Sequence, residues 1–441
     1  MHKILITFLM LLSCQTFSQV QEFVLNNGLK VIVQEDHRAP IAVSMIWYNI
    51  GSADEPGGIT GVSHAIEHMM FKGTTLYPLG VFSKTIAALG GQENAFTNND
   101  YTAYFEKIDA KQLATCFALE ADRMKHLLLD TNEFAKEIKV IQEERRLRTD
   151  NNPQALAFER FLATAHLTMP YNHPVIGWMT DLQQMNVNDL KRWYQKYYAP
   201  NNATLVIVGD VNAEQVHTLA EHYFGSIGKG AVPERPAQKE PKALGKKNIV
   251  IHSHTQVPLL LIGYTVPSVK TARQPWEPYA LELAAALLDA GEGARFTKNL
   301  VRGTHVATGA DAYYNLYSRY QTQFIVYGTP SHNHSIDDLR NALLGELHAL
   351  KTKPVSSQEL QRVKNQIIAQ KTFEKDSIFG QAMELGLLET VGIGWRNKGT
   401  YNQAINNVTA AQIQQVAQHY FHTDNRTEAE LKPAKQNEVT Q

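Results

Sequence analysis

The chain has 441 residues, 44% hydrophobic and 19% charged, with a formal net charge of −1. That length holds two or more ordinary domains, and the apolar content excludes an intrinsically disordered chain. With no long basic run, nucleic-acid binding has no electrostatic footing.

In chain order, residues 1–18 read as a signal peptide. Lys3 is followed by an apolar run, Ile4 to Leu12, broken only by Thr7. That run is too short to span a bilayer and suits a secretory core. Thr16-Phe17-Ser18 offers a cleavage site before Gln19, while Leu11-Leu12-Ser13-Cys14 resembles a bacterial lipoprotein box with a short apolar core. The expectation is an exported protein, periplasmic or secreted, with no transmembrane helix in the mature chain. Without Cys14 only Cys116 remains, so no internal disulfide forms. Cys116 lies among Leu113, Phe117 and Leu119 and reads as an inert core residue.

Residues 22–34 predict two strands around an Asn-Gly turn, and 41–50 a third. A helix over 59–72 carries His64-Ala65-Ile66-Glu67-His68. Residues i and i+4 stack on one helix face, so two imidazoles at that spacing can share one zinc ion. Glu67 lies close to that face, placed to take a proton from an attacking water. The neighbours Ile66, Met69, Met70 and Phe71 make the helix largely buried. Buried charges need a partner, so the group calls for an ion or a hydrogen-bond network.

A helix over 79–89 stops at Gly90-Gly91. Asn94 to Thr97 and Tyr101 to Ile108 read as a strand pair, and 109–128 and 131–149 as helices. In the second of these helices, Phe134, Ile138, Ile141 and Leu147 mark the buried side. Glu137 and Glu144, seven apart, share a face with Val140 and Ile141 between them. A catalytic zinc takes three protein ligands, and Glu144 is the better inward acid for the third, with Glu137 supporting it from behind. Glu143, Arg146 and Arg148 read as a solvated face. An amphipathic helix follows at 187–198 and an apolar strand at 205–209.

Residues 230–247, rich in Pro and Lys, read as a linker between a domain over 19–229 and a second over 248–433, with a tail at 434–441. After the linker the pattern restarts. Val257 to Tyr264 echoes Ala39 to Tyr48; helices at 277–290, 357–375 and 410–421 answer those at 59–72, 131–149 and 187–198. The fold class is α+β, two homologous domains, each a mainly antiparallel sheet covered by helices. The second copy lacks the His pair.

These motifs together resemble the pitrilysin or insulinase family of zinc peptidases, most closely its short two-domain members related to mitochondrial processing peptidase. The resemblance is carried by His64-Ala65-Ile66-Glu67-His68, the inverted order of the commoner zinc motif. It is also carried by Gly90-Gly91-x-x-Asn94-Ala95-Phe96-Thr97, Val140-Ile141-Gln142-Glu143-Glu144 and Pro170 to Gly177, over nearly the whole mature chain. It implies half of a clamshell, with one Zn2+ held by His64, His68 and Glu144, Glu67 as general base and Glu137 in support. Asn94 and Ala95 would sit on an edge strand that receives the peptide substrate backbone.

One departure stands out. The family carries Arg and Tyr in a segment like L-R-x-x-x-x-L-x-Y, where this chain has Val301 and Thr308. Arg302 is one place off, and Tyr313 and Tyr314 lie further on. The resemblance thus implies the zinc-bearing subunit of a homo- or hetero-dimer with a pitrilysin-like partner. The alternative is a non-catalytic scaffold of the same fold.

Overall fold

The computed structural model describes residues 20–434. The signal-peptide and lipoprotein readings, and all but the first residue of the tail, lie outside that range. The amino-terminal half forms strands β1 (Val20–Val24), β2 (Lys30–Glu35), β3 (Ile41–Tyr48), β4 (Gln92–Thr97), β5 (Thr102–Asp109) and β6 (Ala203–Gly209). Its helices are α1 (Val62–Met69), α2 (Val81–Ala88), α3 (Leu113–His126), α4 (Thr131–Arg145), α5 (Pro153–Ala165), α6 (Met179–Gln184), α7 (Val187–Tyr197) and α8 (Ala213–Phe224). The carboxy-terminal half adds strands β7 (Lys247–Ser253), β8 (Leu259–Val266), β9 (Ala307–Tyr314), β10 (Thr322–Pro330) and β11 (Arg426–Pro433). Its helices are α9 (Glu277–Asp289), α10 (Ile336–Thr352), α11 (Ser357–Glu374), α12 (Ile378–Thr390), α13 (Thr400–Asn407) and α14 (Ala410–Tyr420).

The first sheet has the order β1-β2-β6-β3-β5-β4 and the second β7-β11-β8-β10-β9. Each has one parallel pair, β2 with β6 and β7 with β11, and is otherwise antiparallel. Position for position, the second sheet repeats the first without β1. The echo of β3 in β8 is therefore a structural equivalence, and β4 and β9 are the matching open edges. The two halves are the two α+β domains of the sequence reading, each with a mainly antiparallel sheet that carries one parallel pair.

Each sheet has two apolar faces, because strands such as β3 and β8 are buried almost throughout. A strand apolar on both sides must be covered on both sides. Each half covers one face with its own helices. The second faces are covered by exchange. Ala157, Phe161 and Ala165 of α5 pack on Leu259, Leu261, Ile325 and Leu431 of the second sheet. Ala382 and Leu385 of α12 pack on Ile32, Val43, Trp47 and Val206 of the first. Gly386 makes that second contact possible, since a Cβ there would lie 2.0 Å from the Trp47 ring.

The stretch between α8 and β7 is irregular but pinned. Glu240 accepts the backbone N–H groups of Leu167, Thr168 and Met169, and Arg235 pairs with Asp54. Arg319, buried between the halves, also pairs with Asp54 at 3.0 Å, and its backbone N–H donates to Asp100 at 2.9 Å. No described helix is long and apolar enough to cross a membrane.

Candidate metal centre

Helix α1 buries Val62, Ala65, Ile66 and Met69, which leaves His64, Glu67 and His68 together on its half-buried face. Its start is fixed from behind. The buried Glu55 carboxylate accepts from the backbone N–H of Gly61 at 2.6 Å and of Ser63 at 2.8 Å. Gly61 is left-handed, φ 88°, and a Cβ there would sit 2.4 Å from the Ile176 carbonyl oxygen. Residues 176–177 therefore press directly on the helix start.

Helix α4 lies alongside, capped by Asp130 through the N–H groups of Asn132 and Glu133. Arg145 anchors its far end, buried against Glu159 of α5 at 2.8 Å and the Gly177 carbonyl at 2.8 Å. Two details correct the sequence reading. Val140 is 52% exposed and Leu147 is 65% exposed. Leu147 falls in a π-helical turn over Arg146–Asp150, which widens the helix and carries it off the buried side. Arg148 is 75% exposed, on the solvated face as expected, and from there its guanidinium reaches back to Glu144 Oε1 at 2.6 Å. Arg146 pairs with Glu143 at 2.8 Å, on the solvated face.

His64 Nε2 lies 3.8 Å from Glu144 Oε2, and His68 Nε2 lies 3.4 Å from the same oxygen. Among the described residues, His64, His68 and Glu144 are the one group of three such side chains whose ligand atoms all lie within 4.8 Å of one another. Tetrahedral bonds of about 2.1 Å set ligand atoms about 3.4 Å apart, so the donor set fits zinc with only small adjustment. His68 Nδ1 faces Glu137 Oε1 at 2.9 Å, which leaves Nε2 to point at the shared centre. Glu137 Oε2 is held by Lys72 at 2.6 Å. Glu67 Oε2 accepts from the Thr97 hydroxyl at 2.5 Å, tying the helix to the end of β4.

The electrostatics follow from this packing. Burial, helped by the neighbouring His68, pushes His64 down to about 4, so it is neutral at pH 7 as a ligand must be. Burial works against charge on His68, but Glu144 and Glu137 outweigh it and raise its pKa. The His68 hydrogen bond holds Glu144 below the usual carboxylate range. Burial also opposes charge on Glu137, and Lys72 and His68 overcome it. Glu67 moves the other way: burial raises it, with Thr97 pulling back. A carboxylate lifted toward neutrality is a better proton acceptor than an ordinary one.

Asn94 and Ala95 lie on β4, which pairs only with β5 and so leaves its outer edge open beside Thr97. In the second half, Val301 sits in a π-helical turn over Phe296–Val301, and the Thr308 hydroxyl donates to the Thr329 carbonyl. Arg302 pairs with Glu292 at 3.2 Å, and the Tyr314 hydroxyl donates to the Pro267 carbonyl at 2.6 Å. Tyr313 is the exposed one of the two tyrosines.

Four supporting contacts escaped the sequence reading. Two had a visible spacing: Lys72 follows His68 by four residues and Arg148 follows Glu144 by four. Thr97 closes a motif already singled out. Glu55 had no signal beyond lying near a helix start.

Comparison with known proteins decides the lineage. Residues 30–177 match the model described as insulinase (peptidase family M16), and 184–367 the one described as peptidase M16 inactive domain. The zinc protease PqqE of Helicobacter pylori is 30% identical over 416 residues, covering 93% of this chain and 92% of that one. This chain belongs to the insulinase family of peptidases. A crystal structure of a protease from Helicobacter pylori shares this family fold with a TM-score of 0.89 at 29% identity, covering 94% of this chain and 100% of that one. The chain is also similar to subunit 1 of the mitochondrial cytochrome b-c1 complex of Rattus norvegicus, 29% identical over 215 residues, 49% of this chain and 44% of that one.

Proposed function

We propose that this chain is an exported zinc endopeptidase that cleaves peptides or unfolded segments. His64, His68 and Glu144 hold the ion; Glu67 is the general base. A bound zinc ion would supply Lewis-acid polarisation of the scissile carbonyl and make water more acidic. Glu67 takes the proton of the attacking water and then delivers it to the leaving amine. Thr97 holds the Glu67 carboxylate at the end of β4, and Glu137 keeps His68 in the tautomer that leaves Nε2 free. Asn94 and Ala95 receive the substrate backbone as an added strand, which restricts substrates to chains free to extend.

The observation that carries this reading is the convergence of three ligand atoms from α1 and α4 with Glu67 fixed beside them. The test is Glu67→Gln, read by zinc content and by cleavage of a quenched unfolded peptide. Zinc stays at one per chain and hydrolysis is lost; a fully active variant removes Glu67 from its role.

Export rests on the apolar run Ile4 to Leu12. Val301 and Thr308, in place of Arg and Tyr, support a partner requirement: activity appears when a homologous subunit supplies that pair. The same two residues support a second reading, a non-catalytic scaffold. Inactivity with every homologous subunit and peptide tried favours the scaffold.

A further inference from the structure

One buried side chain of the second half grips two segments of the first. Arg319 lies just before β10, and its side chain is 7% exposed. Its Nη1 donates to both Asp54 carboxylate oxygens at 3.0 Å. Its Nη2 donates to the Asn49 side-chain oxygen at 3.1 Å and to the Asp100 carbonyl. The Arg319 backbone N–H donates to the Asp100 carboxylate at 2.9 Å. That carboxylate also accepts from the Tyr171 hydroxyl at 2.8 Å, and the hydroxyl accepts from the Tyr320 N–H at 3.2 Å.

Both gripped segments lead into the metal centre. Asp54 precedes Glu55, whose carboxylate holds the start of α1. Asp100 follows Thr97 by three residues, in the turn between β4 and β5, and Thr97 holds Glu67. The segments are bonded to each other as well: the Ser52 and Ala53 N–H groups donate to the carbonyls of Asn98 and Asn99 at 3.1 and 2.8 Å. Gly51 lets them close, since a Cβ there would lie 2.4 Å from the Asn98 carbonyl oxygen. Strand β4 pairs only with β5, so the turn after it is a second fixed point for its end. The halves are already joined by the apolar exchange of α5 and α12. A buried ion pair adds little stability over an apolar contact of the same size; its better use is to hold one geometry.

We propose that Arg319 is a positioning residue for the general base. The half without metal ligands sets where Thr97 stands, and through Thr97 the Glu67 carboxylate. This deepens the peptidase reading and rests on it for the role of Glu67. The zinc ligands are held from within the first half, by Glu55 behind α1, Glu137 behind His68 and Arg145 at the end of α4. Zinc therefore stays when Arg319 is changed, while the chemical step slows.

The experiment compares Arg319→Lys and Arg319→Met in the zinc-loaded full chain, alone and with a homologous subunit, on an unfolded peptide. Lysine keeps a charge between the two carboxylates, but its single nitrogen cannot reproduce the fork that reaches Asp54, Asn49 and Asp100 together. The expected fall in kcat is about tenfold for Arg319→Lys and about a hundredfold for Arg319→Met, with KM within about threefold and zinc affinity within about twofold. Thr97→Val is the deciding background: with the link to Glu67 already cut, Arg319→Lys costs less than about twofold more. Arg396→Ala breaks a different pair between the halves, with Glu22 at 3.0 Å, and leaves kcat unchanged. A kcat for Arg319→Lys within about twofold of the unmodified chain overturns the proposal, and so does a full loss that persists in Thr97→Val. Arg319→Lys carries the test by itself where Arg319→Met does not fold. Amide hydrogen exchange supplies a readout without turnover: faster exchange over residues 92–100 with α1 unchanged supports the role, and identical exchange overturns it. If the unmodified chain cleaves nothing under any condition, the peptidase reading falls, and exchange alone decides whether Arg319 places Thr97.

Discussion

Glu137 touches no ion in the proposed site, yet its removal should be felt there. Its Oε1 receives His68 Nδ1–H at 2.9 Å while Lys72 holds Oε2 at 2.6 Å. In Glu137→Ala the His68 ring loses the bond that fixes its tautomer and aim. A hydrogen bond to a charged group contributes about 1.5–3 kcal/mol, of which water recovers part, because His68 is about one-fifth exposed. The remainder, about 1–2.5 kcal/mol, is a loss of roughly 5- to 70-fold in zinc affinity. Glu137→Gln keeps an acceptor and should lose less, about three- to tenfold. Competition with a chromophoric chelator measures both. Glu133→Ala is the control, since Glu133 reaches only Lys136 among the cations. A zinc Kd for Glu137→Ala within twofold of the unmodified chain refutes the argument.

Three further outcomes follow from packing and charge. Arg145→Ala strands buried Glu159 and should lower stability by about 3–5 kcal/mol in denaturant unfolding; a loss under 1 kcal/mol contradicts the anchor role. Gly386→Ala drives a methyl into Trp47 and should lower stability by about 1–3 kcal/mol, read as a fall in melting temperature. Burial pushes Glu282 up to about 7, with the Tyr401 hydroxyl donating at 2.7 Å. Its folded-state pKa exceeds the unfolded value of about 4.3, so its contribution is complete below that value and is lost as pH rises through about 7. Melting curves at pH 5 and pH 8 should show the unmodified chain losing stability relative to Glu282→Gln; parallel curves would remove the effect.

Much of the site was legible because it is local. His64, Glu67 and His68 lie within one helical turn, and helical period alone separates Glu144 from Glu143. The helices at 62–69, 81–88 and 187–197 announce themselves through apolar spacing, the second also through the Gly90-Gly91 stop that follows it. The repeat was legible because β3 and β8 carry the same apolar run. Other features depend on contacts that no local pattern encodes. Asn152-Pro153 is a good helix start, but nothing in it says that α5 will lie on the other half's sheet. Leu147 looks inward by periodicity until the π-helical turn shifts the register. Arg319 takes its role from Asp54 and Asp100, brought close only by tertiary structure.

Because α5 and α12 trade places, continuity of the chain and integrity of the molecule are separate properties. A cut between residues 230 and 246 would leave two fragments still clasping one another, each supplying the wall the other lacks. Made apart, each would present a bare apolar sheet to water and invite aggregation. Each half needs the other at hand while it folds.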